Sequence, residues 1–212
     1  MTLCYRPAMM VAAVFGTLLF VAMIVGDWWH FTSLSEPASD YGLTVARTHD
    51  RLPAVPCETV LGLFRTDGTL QLGHGIARLF RPQRRIVVRP QYHLFSLRFR
   101  TAWPLKGAID LHAAGADTEL RCRKLMPWSS AAMTVVWFLI VAGGTLSFLV
   151  SYAAQGGFGS LGGTIMGLGI AGLGVLVLAF GVLVVTVAYR LENHRLTAAY
   201  EELLDALGRS SV

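Results

Sequence analysis

The sequence predicts an integral membrane α+β protein: three transmembrane helices plus a small antiparallel β domain, a barrel or a curved sheet, inserted between helices 1 and 2. Three observations predict it. From Trp128 to Tyr189 two long apolar runs contain no Asp, Glu, Lys, Arg or His, and a charge at a bilayer centre costs roughly 2.5 kcal/mol or more. A third apolar run, Ala8 to Val25, lies near the N-terminus. Between them sits a polar stretch of short alternating runs punctuated by turn residues. Overall 54% of residues are hydrophobic and 15% charged, against about 25% charged in soluble domains.

Helix 1 is expected over residues 8–26. Its apolar run is just long enough to span, and Trp28-Trp29 follow it, as suits a membrane–water interface. A signal peptide is the competing reading. Ala22 to Gly26 is a poor small-x-small cleavage site, which favours an uncleaved helix. Residues 27–56, broken by Pro37, Pro53 and Pro56, read as linker, with a short helix over Thr44–Leu52.

Residues 57–127 read as the β domain. Strands are expected at Thr59–Phe64, Thr69–Phe80, Ile86–Arg89, Gln91–Arg100, Leu105–Leu111 and Thr118–Leu125, with a hairpin signal at Thr66-Asp67-Gly68. Gly73-His74-Gly75 reads as a bulge inside a strand. At roughly 70 residues the core is small and needs a helix, a membrane or a partner to lean on.

Residues 128–189 form the helical hairpin, joined by an uncharged Gly-rich loop. Its second helix carries Gly163, Gly167, Gly169, Gly172 and Gly174. Small residues at this spacing let helix backbones approach, either within the hairpin or against another subunit. The tail, 190–212, is amphipathic: Leu196, Tyr200, Leu203, Leu204 and Leu207 fall at helical spacing opposite Glu201, Glu202 and Asp205. It extends the last helix and packs on the β domain, or it coils with another protein.

The net charge of +5 belongs to the insert, where Asp27 to Pro127 holds 14 Lys and Arg against 9 Asp and Glu. Arg98, Arg100, Arg121 and Arg123 sit at period two on two strands, with Arg84, Arg85 and Arg89 nearby. Arginine forks bind phosphate, so these residues form a candidate lipid- or phosphate-binding face. No recognition motif for nucleic acid accompanies the charge. Arg121, Arg123, Lys124, Arg190 and Arg195 flank the hairpin on the insert side and Arg6 precedes helix 1, so the majority places the β domain and tail in the cytoplasm.

The sequence offers little chemistry. There is no Gly-Lys-Ser/Thr phosphate loop, no Gly-x-Ser-x-Gly elbow and no Cys/His metal spacing. Cys57 and Cys122 would pair only in an oxidising compartment and read as reduced and buried. His74 and His93 read as ordinary, partly buried histidines. No histidine falls inside the three apolar runs, so no haem or chlorophyll ligand is expected and no cofactor is assigned. The runs also lack the carboxylates or lysines of a proton or ion path.

One pattern resembles a family. It reads Thr101-Ala102-Trp103-Pro104, Gly107-Ala108-Ile109, Asp117-Thr118, Arg121-Cys122-Arg123, Leu125-Met126-Pro127 and Trp137. This resembles a broad family of uncharacterised bacterial membrane proteins with a small β domain followed by a two-helix transmembrane hairpin. The chain departs from it in carrying Thr101-Ala102 where the family often has Asn-Ser, and helix 1 is an addition. The resemblance implies a multi-pass protein of the bacterial inner (plasma) membrane and carries over no catalytic residue. The expected function is a non-catalytic accessory or assembly subunit of a larger membrane protein complex, with membrane lipids and partner subunits as its contacts. The alternative is a lipid-headgroup-binding scaffold or sensor using the basic strands, and an enzyme acting on a lipid headgroup through His74 or His93 ranks third.

Overall fold

The computed structural model describes residues 5–91 and 101–209. Among the described residues three helices are long and apolar enough to cross a membrane: α1 (Tyr5–Thr32), α3 (Trp128–Ala154) and α4 (Leu161–Arg209). Helix α1 runs past the end of its apolar stretch, carrying Asp27, Trp28, Trp29 and His30 as further helical turns. His30 is therefore helical and packs its ring edge-on against Tyr41, 4.6 Å between centroids. Helix α4 has 49 residues and so extends about 73 Å. A hydrocarbon core is about 30 Å thick, so less than half of α4 could lie within one.

Among the described residues the remainder of α4 packs on a six-stranded antiparallel sheet of order β1-β6-β5-β4-β3-β2, open with β1 and β2 as its edges. The strands are β1 (Leu43–Leu52), β2 (Thr69–Gln71), β3 (Gly75–Phe80), β4 (Arg85–Pro90), β5 (Lys106–Ala114) and β6 (Asp117–Met126). Strand alternation sorts their side chains to two faces. On one face Ala77, Leu79, Ile86, Val88, Ile109, Leu111, Leu120 and Cys122 are buried against Leu196, Ala199, Leu203 and Leu207 of α4. On the other, Ala108 and Leu125 pack against Phe31 at the end of α1 and against Tyr41. The tail therefore extends the third long helix and packs on the sheet. Both insert cysteines are buried free thiols in the first core; burial pushes the Cys122 thiol up to about 11.

Several expectations are corrected. Residues 27–56 are not a linker: Leu43–Leu52 is strand β1, not a short helix, paired along its length with β6 from Leu43 opposite Met126 to Leu52 opposite Thr118. An edge strand is solvated on both faces over much of its length, so Arg47 to Arg51 give no alternation to read. Thr59–Phe64 is not a strand. It belongs to helix α2 (Cys57–Gly62) and the turn after it, with Pro56 at the N-cap and Cys57 and Val60 buried. Core packing here overrides the β propensity of Thr59-Val60. Gly73-His74-Gly75 is not a bulge: it forms and closes the turn between β2 and β3. The strand expected over Gln91–Arg100 lies, past Gln91, outside the described residues.

Candidate functional site

The helices meet the sheet at a junction built from two charges of opposite sign. A helix N-terminus exposes unpaired N–H groups and a positive dipole end, and a C-terminus the reverse. Helix α3 starts behind Pro127, whose side chain supplies no cap. Asp27 of α1 fills that role from outside: the backbone N–H of Ser129 donates to Asp27 Oδ2 at 3.0 Å, and the Ser129 hydroxyl donates to the same oxygen. The Tyr41 hydroxyl donates to the other carboxylate oxygen, which pushes the Tyr41 phenol up to about 12.

The C-terminal end of α1 receives the complementary charge. Lys106 of β5 is buried, at 1% exposure. Its Nζ donates to the carbonyls of Phe31, at 3.1 Å, and Ala38, and lies 4.3 Å from the Phe31 ring centroid. Burial holds this ammonium down to about 8, with Asp40 and Asp27 pulling the other way. The lysine is 10.5 when unperturbed. Between pH 8 and 10.5 the unfolded chain therefore binds more protons than the folded one, so this group's contribution to stability rises with pH across that window. Wild type minus Lys106→Met, followed by thermal unfolding in detergent, is expected to show a stability difference that moves in favour of wild type from pH 8 to 10.5.

The link into β5 is stitched to the first turns of α3. The Trp103 indole N–H donates to Thr134 Oγ1 at 2.8 Å, Thr134 donates to the Ser130 carbonyl at 2.7 Å, and Ser130 donates to the Ala102 carbonyl at 2.7 Å. Just beyond this stitch, α1, α3 and α4 leave a groove of about 410 Å³ walled by Ile24, Met133, Trp137, Phe138, Phe180 and Val184. Its volume falls within the about 300–1,000 Å³ of small-molecule sites.

The glycines of α4 divide between two surroundings. A Cβ on Gly174 would lie 2.5 Å from the Thr145 side chain, one on Gly181 would strike the Trp137 ring, and one on Gly167 the Phe158 ring. Gly163 sits against the backbone of Gly157 in the hairpin loop. Gly169 and Gly172 have nothing within 4 Å of a Cβ position.

The basic strand face is partly committed. Arg98 and Arg100 lie outside the described residues. Arg123 bridges Asp40 at 2.7 Å and Asp110 at 3.1 Å, and Arg121 lies 3.6 Å from Glu119. Arg85 is held by Asp110 at 2.6 Å, and Arg89 donates to the Thr32 carbonyl at the end of α1. Arg123 and Arg85, both facing Asp40, and Arg89 tie the end of α1 and the segment after it to the sheet. Register places Arg47 opposite Arg123 and His49 opposite Arg121, which enlarges the cationic face toward the open edge.

His74 turns out to anchor the tail. Glu202 of α4 accepts from the backbone N–H of Gly73 and, at 2.9 Å, from that of His74, with the His74 ring nitrogen 3.2 Å away. His93 lies outside the described residues. Among the described residues no group of three or more His, Cys, Asp or Glu is placed to hold a metal ion.

Sequence reasoning missed Asp27 and Lys106 as junction residues. The available signal was position: a lone acid ending an apolar run, and a lone lysine opening a strand directly before Gly107-Ala108-Ile109. No family model, no curated protein and no solved structure matches the chain.

Proposed function

We propose that this chain is a multi-pass inner-membrane protein that works as a non-catalytic accessory or assembly subunit of a larger bacterial membrane complex, with its β domain and tail in the cytoplasm. The observation that carries this reading is the division of the α4 glycines. Gly167, Gly174 and Gly181 are used up by aromatic and threonine side chains of the hairpin, whereas Gly169 and Gly172 face open space. In a lipid environment a bare backbone strip of this kind admits the close approach of another helix. Helix α1 adds to it, since Met10, Val14, Phe15, Leu18 and Met23 are all exposed. The sheet domain, clamped to α1 and α3 through Lys106 and Asp27, would then be presented at a fixed height above the bilayer. A small β domain followed by a two-helix hairpin, as in the family of uncharacterised bacterial membrane proteins the sequence resembles, accords with this reading.

Gly169→Leu/Gly172→Leu, purified in a gentle detergent from its own membranes, is expected to lose a partner that co-purifies stoichiometrically with wild type, while keeping wild-type thermal stability. Recovery of the double variant with an undiminished partner would remove the reading. Binding through the basic face has less support, because Arg123 and Arg121 are engaged by Asp40, Asp110 and Glu119.

A further inference from the structure

The groove between α1, α3 and α4 has a composition that limits what it can hold. The three hydroxyls at its rim are already donated inside the protein. The Ser129 hydroxyl is on Asp27, Ser130 is on the Ala102 carbonyl, and Thr134 both accepts from Trp103 and donates to the Ser130 carbonyl. None of these three hydroxyls has a hydrogen left to donate to a polar ligand. The walls below are aromatic or aliphatic, Trp137, Phe138, Phe180 and Val184 among them. An empty apolar recess forfeits dispersion contacts on its lining, so something apolar is favoured there.

Size then selects the occupant. A helix with its side chains is about 10–12 Å across and does not fit whole into a recess of about 410 Å³, which Trp103 and Thr134 border at the sheet end. A flexible hydrocarbon chain does fit. The groove lies beside Trp28, whose neighbour Trp29 is 79% exposed. Paired tryptophans at the end of an apolar helix mark the interfacial level, where the glycerol end of a phospholipid sits and from which its chains point inward.

We propose that this groove is a lipid site that holds one acyl chain of a bilayer phospholipid from the leaflet beside the sheet domain. This rests on the three long helices spanning a membrane. The bound chain fills the space between α1 and the α3–α4 hairpin, so α1 is coupled to the hairpin through lipid as well as through Asp27.

The test uses the full chain reconstituted in phosphatidylcholine vesicles that contain a phosphatidylcholine with a photoactivatable diazirine on one acyl chain. After irradiation, adducts are mapped by mass spectrometry. Adducts at Met133 and Val184 are expected to exceed those at the more exposed Leu139 and Leu176 by about tenfold, the ratio given by 1.4 kcal/mol of preference. Val184→Trp, which fills the groove, is expected to remove that excess and leave Leu139 and Leu176 unchanged. Phe180→Ala, which widens it, is expected to keep the excess at Met133 and Val184. Equal labelling of groove and outer positions, or an excess that Val184→Trp does not move, overturns the proposal. A benzophenone amino acid at position 184 that captures a protein rather than lipid in native membranes also overturns it. Failure of the chain to float with the vesicles would instead overturn the membrane reading beneath it, and the two failures are distinct.

Discussion

Leu203→Ala is expected to destabilise the sheet domain by about 2–5 kcal/mol, the cost of emptying a fully buried leucine site. Leu203 is at 0% exposure, as is its neighbour one turn on, Leu207. Together with Leu196 and Ala199 they form a stripe that, beside Val55, Val60 and Phe64, covers one face of the sheet. Without that stripe the core shared by Ile86, Val88, Ile109 and Leu120 would lose a large part of its cover. Chemical denaturation of the detergent-solubilised chain, read by tryptophan fluorescence and by protease cutting near Glu201, would measure the change. A loss below about 1 kcal/mol, typical of a surface site, would mean the tail does not cap the sheet. Glu202 adds a directional anchor to the same docking, since its carboxylate ties the tail to the turn at Gly73 and His74.

Asp27→Ala is the second large effect. One carboxylate there serves three donors: the Ser129 amide, the Ser129 hydroxyl and the Tyr41 hydroxyl. Hydrogen bonds to a charged group contribute about 1.5–3 kcal/mol each, and an orphaned partner costs about 1–3 kcal/mol. Because the three share one acceptor their losses do not add, and a net loss of about 3 kcal/mol is expected. The distinctive readout is position. A nitroxide pair on α1 and α3 near the junction should show a broadened distance distribution in Asp27→Ala and a narrow one in wild type. Asp27→Asn, which keeps an oxygen acceptor, should recover much of the order. A distribution in Asp27→Ala as narrow as wild type would show that α1 is held by other contacts, with Lys106 the first to examine.

The three long helices were legible because uninterrupted apolar composition is a local property of sequence. The amphipathic tail was legible for the same reason: Leu196, Leu203 and Leu207 recur at helical spacing, and all three are buried. Strands β4, β5 and β6 also showed, since one or both of their faces are buried and their side chains alternate. Strand β1 did not, because it is an edge whose Arg47, His49 and Asp50 all face solvent. Helix α2 did not, because six residues hold too few turns for a period, and Thr59 and Val60 favour strand in isolation.

The candidate site divides the same way. The glycines of α4 could be picked out by type, but which of them are consumed by the hairpin depends on where Phe158, Thr145 and Trp137 come to rest. Arg121 and Arg123 could be paired by period two. That Arg123 is tied to Asp40 and Asp110 depends on a chain reversal after α1 that no local pattern encodes.

By itself the sequence determined the class of solvent each segment prefers, since hydropathy and helical period are carried by neighbouring residues. Only the tertiary structure decided that the last helix is one continuous rod lying on the sheet, that Asp27 and Lys106 serve opposite helix ends, and that an apolar groove lies beside them. Those features come from contacts between residues far apart in the chain, such as Asp27 with Ser129 and Gly73 with Glu202, and such contacts exist only once the chain has folded.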